Sequence, residues 1–421
     1  MRSLFRSFVQ AGFECSTHKL RDGRRLDLLR ATEHDKFTHS DFALLSQLGI
    51  KSVRTGARWH LIEQPNGTYD FGSLESIFSA AAENGIEILL DLLHFGWPDH
   101  LDIFGRSFVP AFARFVRAVT RYARRWPAVC HMFAPVNEIS FLSWAGGDVA
   151  ALNPFERDRG AELKRILVRA FIAASEVLLN ELPSVRIISP EPVIYIAGNP
   201  AVPGDQAEAE AYRLAQFEAW DMISGRLAPE LGGRPEFLDV IGTNFYDRNE
   251  WVHNSEVLLP GDSRYRPFHQ ILCEVWERYR RPLFVSETGT EDEARSSWFK
   301  YISNEVLIAK RWGVPVHGIC LYPILNHPGW EDERHCHNGL FDYADPTGNR
   351  VPFQPLLDEI TSFQDIIQRS PENFHDYDPN RFDLPFPSSM GFRAAASATS
   401  DDSLRAEPPG VLLRRASVRE R

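Results

Sequence analysis

Eight times between residue 7 and about 370, a short apolar or β-branched run gives way to an amphipathic stretch with helical spacing. Strands are expected at 7–15, 52–59, 86–95, 131–138, 185–194, 238–246, 282–287 and 317–324. Ser40 is read as the cap of a helix that stops at Gly49, and Gly85 as the stop of the next. From Phe108 to Trp126 apolar residues recur at three and four, with arginines on the opposite face. Later helices are expected over 157–182, 207–227, 266–280, 295–312 and 353–369. Parallel strands joined by right-handed crossovers are buried on both faces, and eight of them close around side chains alone. The pattern therefore predicts a single (β/α)8 TIM barrel over residues 1–370, an α/β fold. A doubly wound open sheet is the alternative, but it brings a glycine-rich turn after its first strand, which Gln10-Ala11-Gly12-Phe13 is not. Beyond residue 371 the composition shifts to Ser, Ala, Arg, Asp and Pro without periodicity, so 371–421 is expected to be a solvated, disordered tail.

Composition narrows the function. A hydrophobic share of 43% supplies one large core and excludes a disordered chain or a fibre. Lys plus Arg at 46 against Asp plus Glu at 57 gives a net charge of −11, which repels phosphate backbones and anionic lipid, so neither nucleic acid nor membrane is an expected partner. The 5 cysteines are odd in number and lack a CxxC pair, which points to reduced thiols. Met1 to Phe13 has no signal-peptide core, and nowhere does an apolar run reach the length of about 18 residues that spans a bilayer. A cytoplasmic protein is expected.

Barrel chemistry sits at the carboxyl ends of the strands, which makes the polar residues there the candidates. Glu138 closes Pro135-Val136-Asn137-Glu138 at the fourth strand, and Glu287 closes Phe284-Val285-Ser286-Glu287 at the seventh. Two carboxyls facing across a barrel mouth are the minimum set for cleaving an acetal: one arrives protonated to release the leaving oxygen, the other ionised to meet the anomeric carbon. Arg54 and the Tyr246 hydroxyl are placed to keep Glu287 ionised, while an apolar setting and a second anion raise the proton affinity of Glu138. A small carbohydrate or glycoside is the expected substrate, with no cofactor. Trp97, Trp144 and Trp251 could offer flat faces to a sugar. His327, Glu331, His335 and His337 lack a helix-borne HExxH spacing, so no metal is expected.

Several segments carry a resemblance to clan A glycoside hydrolases, and most to family 1, the β-glucosidase type. Asn137-Glu138 resembles the acid/base motif, with Ile139 in place of the following proline, and Ser286-Glu287-Thr288-Gly289 resembles the nucleophile motif, with Thr288 in place of asparagine. Gly242-Thr243-Asn244-Phe245-Tyr246 resembles the segment whose second aromatic bonds the nucleophile. Val53-Arg54-Thr55-Gly56-Ala57-Arg58-Trp59 falls on the strand that carries the family's arginine, and Leu93-His94-Phe95-Gly96-Trp97-Pro98 on its sugar-contacting histidine segment. Asn338-Gly339-Leu340-Phe341-Asp342-Tyr343 is similar to the late segment before the last helix. The resemblance implies catalytic Glu138 and Glu287, nucleophile support from Arg54 and Tyr246, and sugar contacts from Asn137 and His94. Tyr322 matches the strand-eight aromatic, and a cis Tyr322–Pro323 bond is expected. Two departures alter the sugar-binding floor. Phe13-Glu14-Cys15 stands where the family has a strand-one glutamine, and Asn326-His327-Pro328-Gly329-Trp330 where it has Asn-Phe-Glu-Trp. By position Glu14, His327 and Trp330 join the substrate-binding candidates, but the identity of the sugar does not carry over. The implied activity is a retaining β-glycosidase, a hydrolase of carbohydrate metabolism. A catalytically silent carbohydrate-binding barrel, or a transglycosylase using the same covalent intermediate, remains open.

Overall fold

Each of the eight apolar runs becomes a strand of one closed parallel barrel: β1 (Val9–Gly12), β2 (Ser52–Gly56), β3 (Glu87–Asp91), β4 (Cys130–Ala134), β5 (Arg186–Pro192), β6 (Val240–Asn244), β7 (Leu283–Thr288) and β8 (Val316–Leu321). β8 pairs with β1 in parallel and closes the ring. The structure is a computed structural model that describes residues 4–369, so the segment 371–421 lies outside the described residues.

Strand alternation divides the core in two. Leu89, Met132, Ile188, Val240, Phe284 and Cys320 face inward and pack on one another, and Phe5 closes the bottom with its ring 4.8 Å from that of Phe284. Their neighbours Ile88, Leu90, Phe133, Ile187, Ile241 and Val285 face outward into the layer beneath the helices. The helix Phe108–Ala123 shows why the outer layer forms: Phe108, Ala111, Phe112, Phe115, Val116 and Val119 make one buried stripe, and Trp59 stacks on Phe115 at 5.0 Å. Gly85 ends the helix Gly72–Asn84 as expected, at φ 65, where a Cβ would be strained.

Three expectations need correction. Ser40 does not cap its helix: the element runs His34–Gln47, is kinked at Phe37, and the Ser40 hydroxyl donates to the Phe37 carbonyl within it. The stretch 207–227 is not one helix but Asp205–Leu214, a 3-10 turn Ala215–Phe217 and Glu218–Ile223. All the expected strands but the seventh also ran too far at their carboxyl ends, because apolar residues continue into the loops that roof the barrel. There, unforeseen short strands pair, Tyr195–Ala197 with Glu250–Val252 and His327–Pro328 with His335–Cys336, and form walls above the strand ends. The Tyr322–Pro323 peptide is cis, as expected, and so is Asn153–Pro154. All five cysteines are buried and unpaired. Among the described residues no helix is long and apolar enough to cross a membrane.

Candidate active site

Register places the polar strand ends at one level. Gly12 aligns with Arg54, Gly56 with Asp91, and Asn244 with Glu287. Arg54, fully buried, is the hub of the polar network there. Its Nε and Nη2 donate to both oxygens of Asp91 (3.0 and 2.7 Å), its Nη1 to Glu287 Oε1 (2.7 Å) and its Nη2 to Asn137 Oδ1 (2.6 Å). A guanidinium with five donors in a rigid fork is suited to three acceptors at once. The second oxygen of Glu287 accepts the Tyr246 hydroxyl at 2.7 Å. Burial and the nearby carboxylates push the Tyr246 phenol well above its ordinary range, so it stays a donor.

Glu138 lies four residues beyond β4 at φ 46, a left-handed conformation uncommon for glutamate. Glu191 of β5 holds that bend by accepting the backbone N–H of Ile139 (2.7 Å) and Ser140 (3.0 Å). The Ser286 hydroxyl donates to Asn244 Oδ1 at 2.5 Å, which turns the amide so that Nδ2 donates to Glu138 Oε1 at 2.8 Å. No cation contacts Glu138 among the described residues. Burial, reinforced by the Glu287 charge, pushes its carboxyl up to about 8. Burial also raises Glu287, but there Arg54 and Tyr246 oppose it. The surroundings of Glu138 thus favour its protonated form, while Arg54 and Tyr246 favour the charge on Glu287.

His94 Nδ1 donates to Asp91 Oδ2 at 2.8 Å, with the Cys15 sulfur 3.3 Å away. Because Arg54 fixes the Asn137 amide, its NH2 faces His94 Nε2 at 3.1 Å. Burial opposes a charged ring, while Cys15, Asp91 and Glu14 draw a second proton toward it. The Glu14 carboxylate lies 3.7 Å from Nε2, and together these groups hold the ring's pKa well above its ordinary value. Tyr322 lies parallel to His94, 6.1 Å between centroids, and 5.3 Å from the Arg54 guanidinium. Gly12 permits this: a Cβ there would stand 2.1 Å from the Tyr322 ring.

A cavity of about 700 Å³ opens above these groups. Glu138, Glu287, Tyr246, His94, Glu14, Tyr322, His327 and Trp330, all expected from sequence, line it. Arg54 and Asn137 lie beneath it, with both Asn137 amide groups engaged by Arg54 and His94. Of the three tryptophans, Trp144 and Trp251 line the cavity, whereas Trp97 packs against the core and donates its Nε1 to the Leu101 carbonyl at 3.1 Å. Phe95 and Phe141 complete an aromatic wall with Trp330, their centroids 5.6 and 6.3 Å from it. Sequence reasoning missed Asp91 as the partner of Arg54 and His94. Its signal was a lone carboxylate inside the apolar run Ile88-Leu89-Leu90-Asp91-Leu92, which burial makes costly without a cation.

Donor atoms for a cation come together at three places among the described residues: Cys15/Asp91/His94, His335/His337/Asp342 and Asp205/Glu208/His253. In the first, Arg54 already occupies both Asp91 oxygens. In the second, His335 pairs with Asp342 and stacks on His337, not on Glu331.

Comparison with known proteins agrees with the barrel fold. The family model Glyco_hydro_42, described as Beta-galactosidase, matches residues 31–92, the stretch that carries Arg54, Asp91 and its helix partners. No curated protein matches the chain. Among solved structures, the family 1 β-glucosidase from Thermotoga maritima superposes with a TM-score of 0.68 at 15% identity, covering 88% of this chain and 98% of that one. The same enzyme in complex with glucoimidazole gives 0.67 at 16%, covering 89% and 99%. The AHE enzyme from Alicyclobacillus herbarius gives 0.71 at 17%, covering 88% and 100%. At such identities the likeness establishes the fold. The chain is similar to clan A glycoside hydrolases, and to family 1 most, at low sequence identity.

Proposed function

We propose that the protein is a retaining β-glycosidase that hydrolyses O-glycosidic bonds in two displacements. One observation carries this: two buried carboxyls line the same cavity, one held by a guanidinium and a phenol, the other bonded to the Asn244 amide with no cation in contact among the described residues. A Glu287 oxygen attacks the anomeric carbon while Glu138 gives its proton to the departing oxygen. The bond from carbon to the leaving oxygen breaks as the bond to Glu287 forms, leaving a covalent glycosyl-enzyme. Glu138, now a carboxylate, takes a proton from water, whose oxygen displaces Glu287 and restores the starting configuration. Arg54 and Tyr246 stabilise Glu287 as it leaves with its electron pair. The T. maritima β-glucosidase forms complexes with glucoimidazole and deoxynojirimycin, and a sugar ring in this cavity is the corresponding ligand. Glu14, His94, Tyr322, His327 and Trp330 are the groups that would hold that ring, with Asn137 orienting His94. The five buried, unpaired thiols suit a reducing cytoplasm.

The test is a panel of aryl β-glycosides against the wild type, Glu138→Gly and Glu287→Gly. Both variants are expected to lose about 10²-fold or more in turnover. Azide should restore a β-azide product with Glu138→Gly and an α-azide with Glu287→Gly. Azide products of the same configuration from both would overturn the assignment. Sugars that bind without any turnover would favour a binding barrel, and transfer to an added alcohol that outruns hydrolysis would favour a transglycosylase.

A further inference from the structure

The hairpin after β8 carries chemistry on both of its faces. His327–Pro328 pairs with His335–Cys336, and the hairpin brings His327, Trp330 and Cys336 to the cavity. Side chains alternate along a strand, so His335 and His337, on either side of Cys336, fall on the opposite face, where both are exposed. Their rings stack 4.5 Å apart and 16° from parallel. Asp342 arrives from the segment that follows the hairpin, and its Oδ1 accepts from His335 Nε2 at 2.9 Å. Sequence spacing grouped these two histidines with His327 and Glu331, but both of those line the cavity. The ring nitrogens of His327 are engaged by the Pro328 carbonyl and the Asn338 amide.

Ligand atoms of His335, His337 and Asp342, one from each, all lie within 4.8 Å of one another. Nitrogen and carboxylate ligands about 2.0–2.2 Å from a tetrahedral metal stand roughly 3.4 Å apart, so the side chains must close by little more than about 1 Å. Both rings are exposed and can turn by that much without disturbing the core. The carboxylate is held in advance: Asp342 Oδ1 accepts Asn326 Nδ2 at 3.0 Å and the Tyr343 N–H at 2.8 Å. Hydrogen bonds of this kind orient a ligating carboxylate and sharpen its affinity. Of the cation-donor clusters among the described residues, this one alone has two imidazoles. Two imidazoles and a carboxylate suit zinc and its transition-metal neighbours, whereas magnesium and calcium take oxygen ligands.

We infer that His335, His337 and Asp342 form a binding site for a divalent transition metal of the zinc type, which fastens the hairpin to the segment after it. The metal takes the place between His335 and Asp342 that the Nε2 hydrogen holds, and the neutral ring carries its hydrogen on Nδ1 instead. Asn326, which bonds Asp342, directly precedes His327, so a metal on Asp342 braces both arms of the hairpin that brings His327 and Trp330 to the cavity. The site stands apart from the glycosidase reading and does not depend on which reaction the cavity supports.

Calorimetric titration of the full chain, without a polyhistidine tag, with zinc chloride is the test. One site per chain with a micromolar dissociation constant is expected, and His335→Ala and His337→Ala should each weaken it by about tenfold or more. Magnesium chloride should not displace the zinc. No saturable binding in the wild type, equal binding in both variants, or displacement by magnesium at matched concentration overturns the inference. Fastening has its own readout, the rate at which trypsin cuts after Arg334 inside the hairpin. Zinc should slow that cut several-fold in the wild type and leave it unchanged in His337→Ala, with a free arginyl peptide as the control for trypsin itself. A wild-type rate that zinc does not change overturns the inference. If a variant does not fold, the wild-type cleavage rate with and without zinc decides.

Discussion

Glu138 and Glu287 are the same residue type at the same rim, and what separates them is the company each keeps. Arg54 reaches Glu287 across 233 residues of chain and Tyr246 across 41, while the Asn244 amide is the polar side chain that donates to Glu138. Removing one donor from the ionised carboxylate tests how this difference is maintained. Tyr246→Phe leaves the ring in place but deletes the 2.7 Å bond to Glu287. The loss of a hydroxyl that stabilises developing charge costs about 10²-fold in kcat, with the acidic limb of the rate profile moved to higher pH. Steady-state rates across pH on one aryl glycoside measure both, and an unchanged acidic limb would show that Tyr246 does not hold Glu287 ionised. The alternation of the sequence pointed to Glu138, Glu287, Arg54 and Tyr246 through their strand-end positions. Asp91, Glu191 and Asn244 were harder to read, because a buried polar residue in an apolar run announces a need for a partner without saying which.

Helices whose apolar residues recur at three and four were readable nearly to the residue, as Phe108–Ala123 and Ala294–Arg311 show. Their stripe is a local property that burial then uses. Phe112, fully buried between the helix and Trp59, is a direct measure of that packing. Phe112→Ala is expected to cost about 3–5 kcal/mol of stability, read as a lowered urea midpoint with unchanged slope. A loss below about 1 kcal/mol would mean that the outer layer is not close-packed there. Residues 205–223 resisted the same reading, since the 3-10 turn Ala215–Phe217 interrupts a composition that is helix-compatible throughout. Gln216 within it satisfies the Ile194 backbone, a contact that local spacing does not encode. The same holds for Ser40, whose expected cap role disappears because the kink at Phe37 joins two helical pieces.

At the scale of the molecule, protons couple the site to stability. Glu138 must be protonated to act as the acid, so kcat/KM should fall as pH rises through about 8, with the acidic side set by protonation of Glu287. Buried Glu138, Glu191 and Glu250, raised from 4.5 to about 8, 7 and 8, hold protons more tightly folded than unfolded. Their contribution to stability is complete below about 4.5 and is lost as pH rises through 7 to 8. Buried His18 and His317, lowered from 6.5 to about 4, act oppositely: their contribution is present above 6.5 and is lost as pH falls through about 4. Below about pH 6.5 the two sets oppose each other, and above it only the carboxyls still change, so thermal stability is expected to decline between about pH 6.5 and 8, and Glu138→Gln should flatten that decline. A calorimetric midpoint that climbs steadily over this interval in the wild type would contradict the proton assignment.

The order of apolar runs determined the barrel by itself, because period and length decide which segments become strands and helices, and eight such pairs have one efficient way to bury both faces of their strands. The same order put two glutamates on one rim. Which of them holds the proton, and what the cavity accepts beside them, was decided only by tertiary contacts. Arg54 lies close to Glu287 but reaches no oxygen of Glu138, and the cavity wall beside Glu138 is assembled from three separate loops. Proton affinity follows local charge and access to water, and both are properties of neighbours brought together by folding rather than of neighbours along the chain.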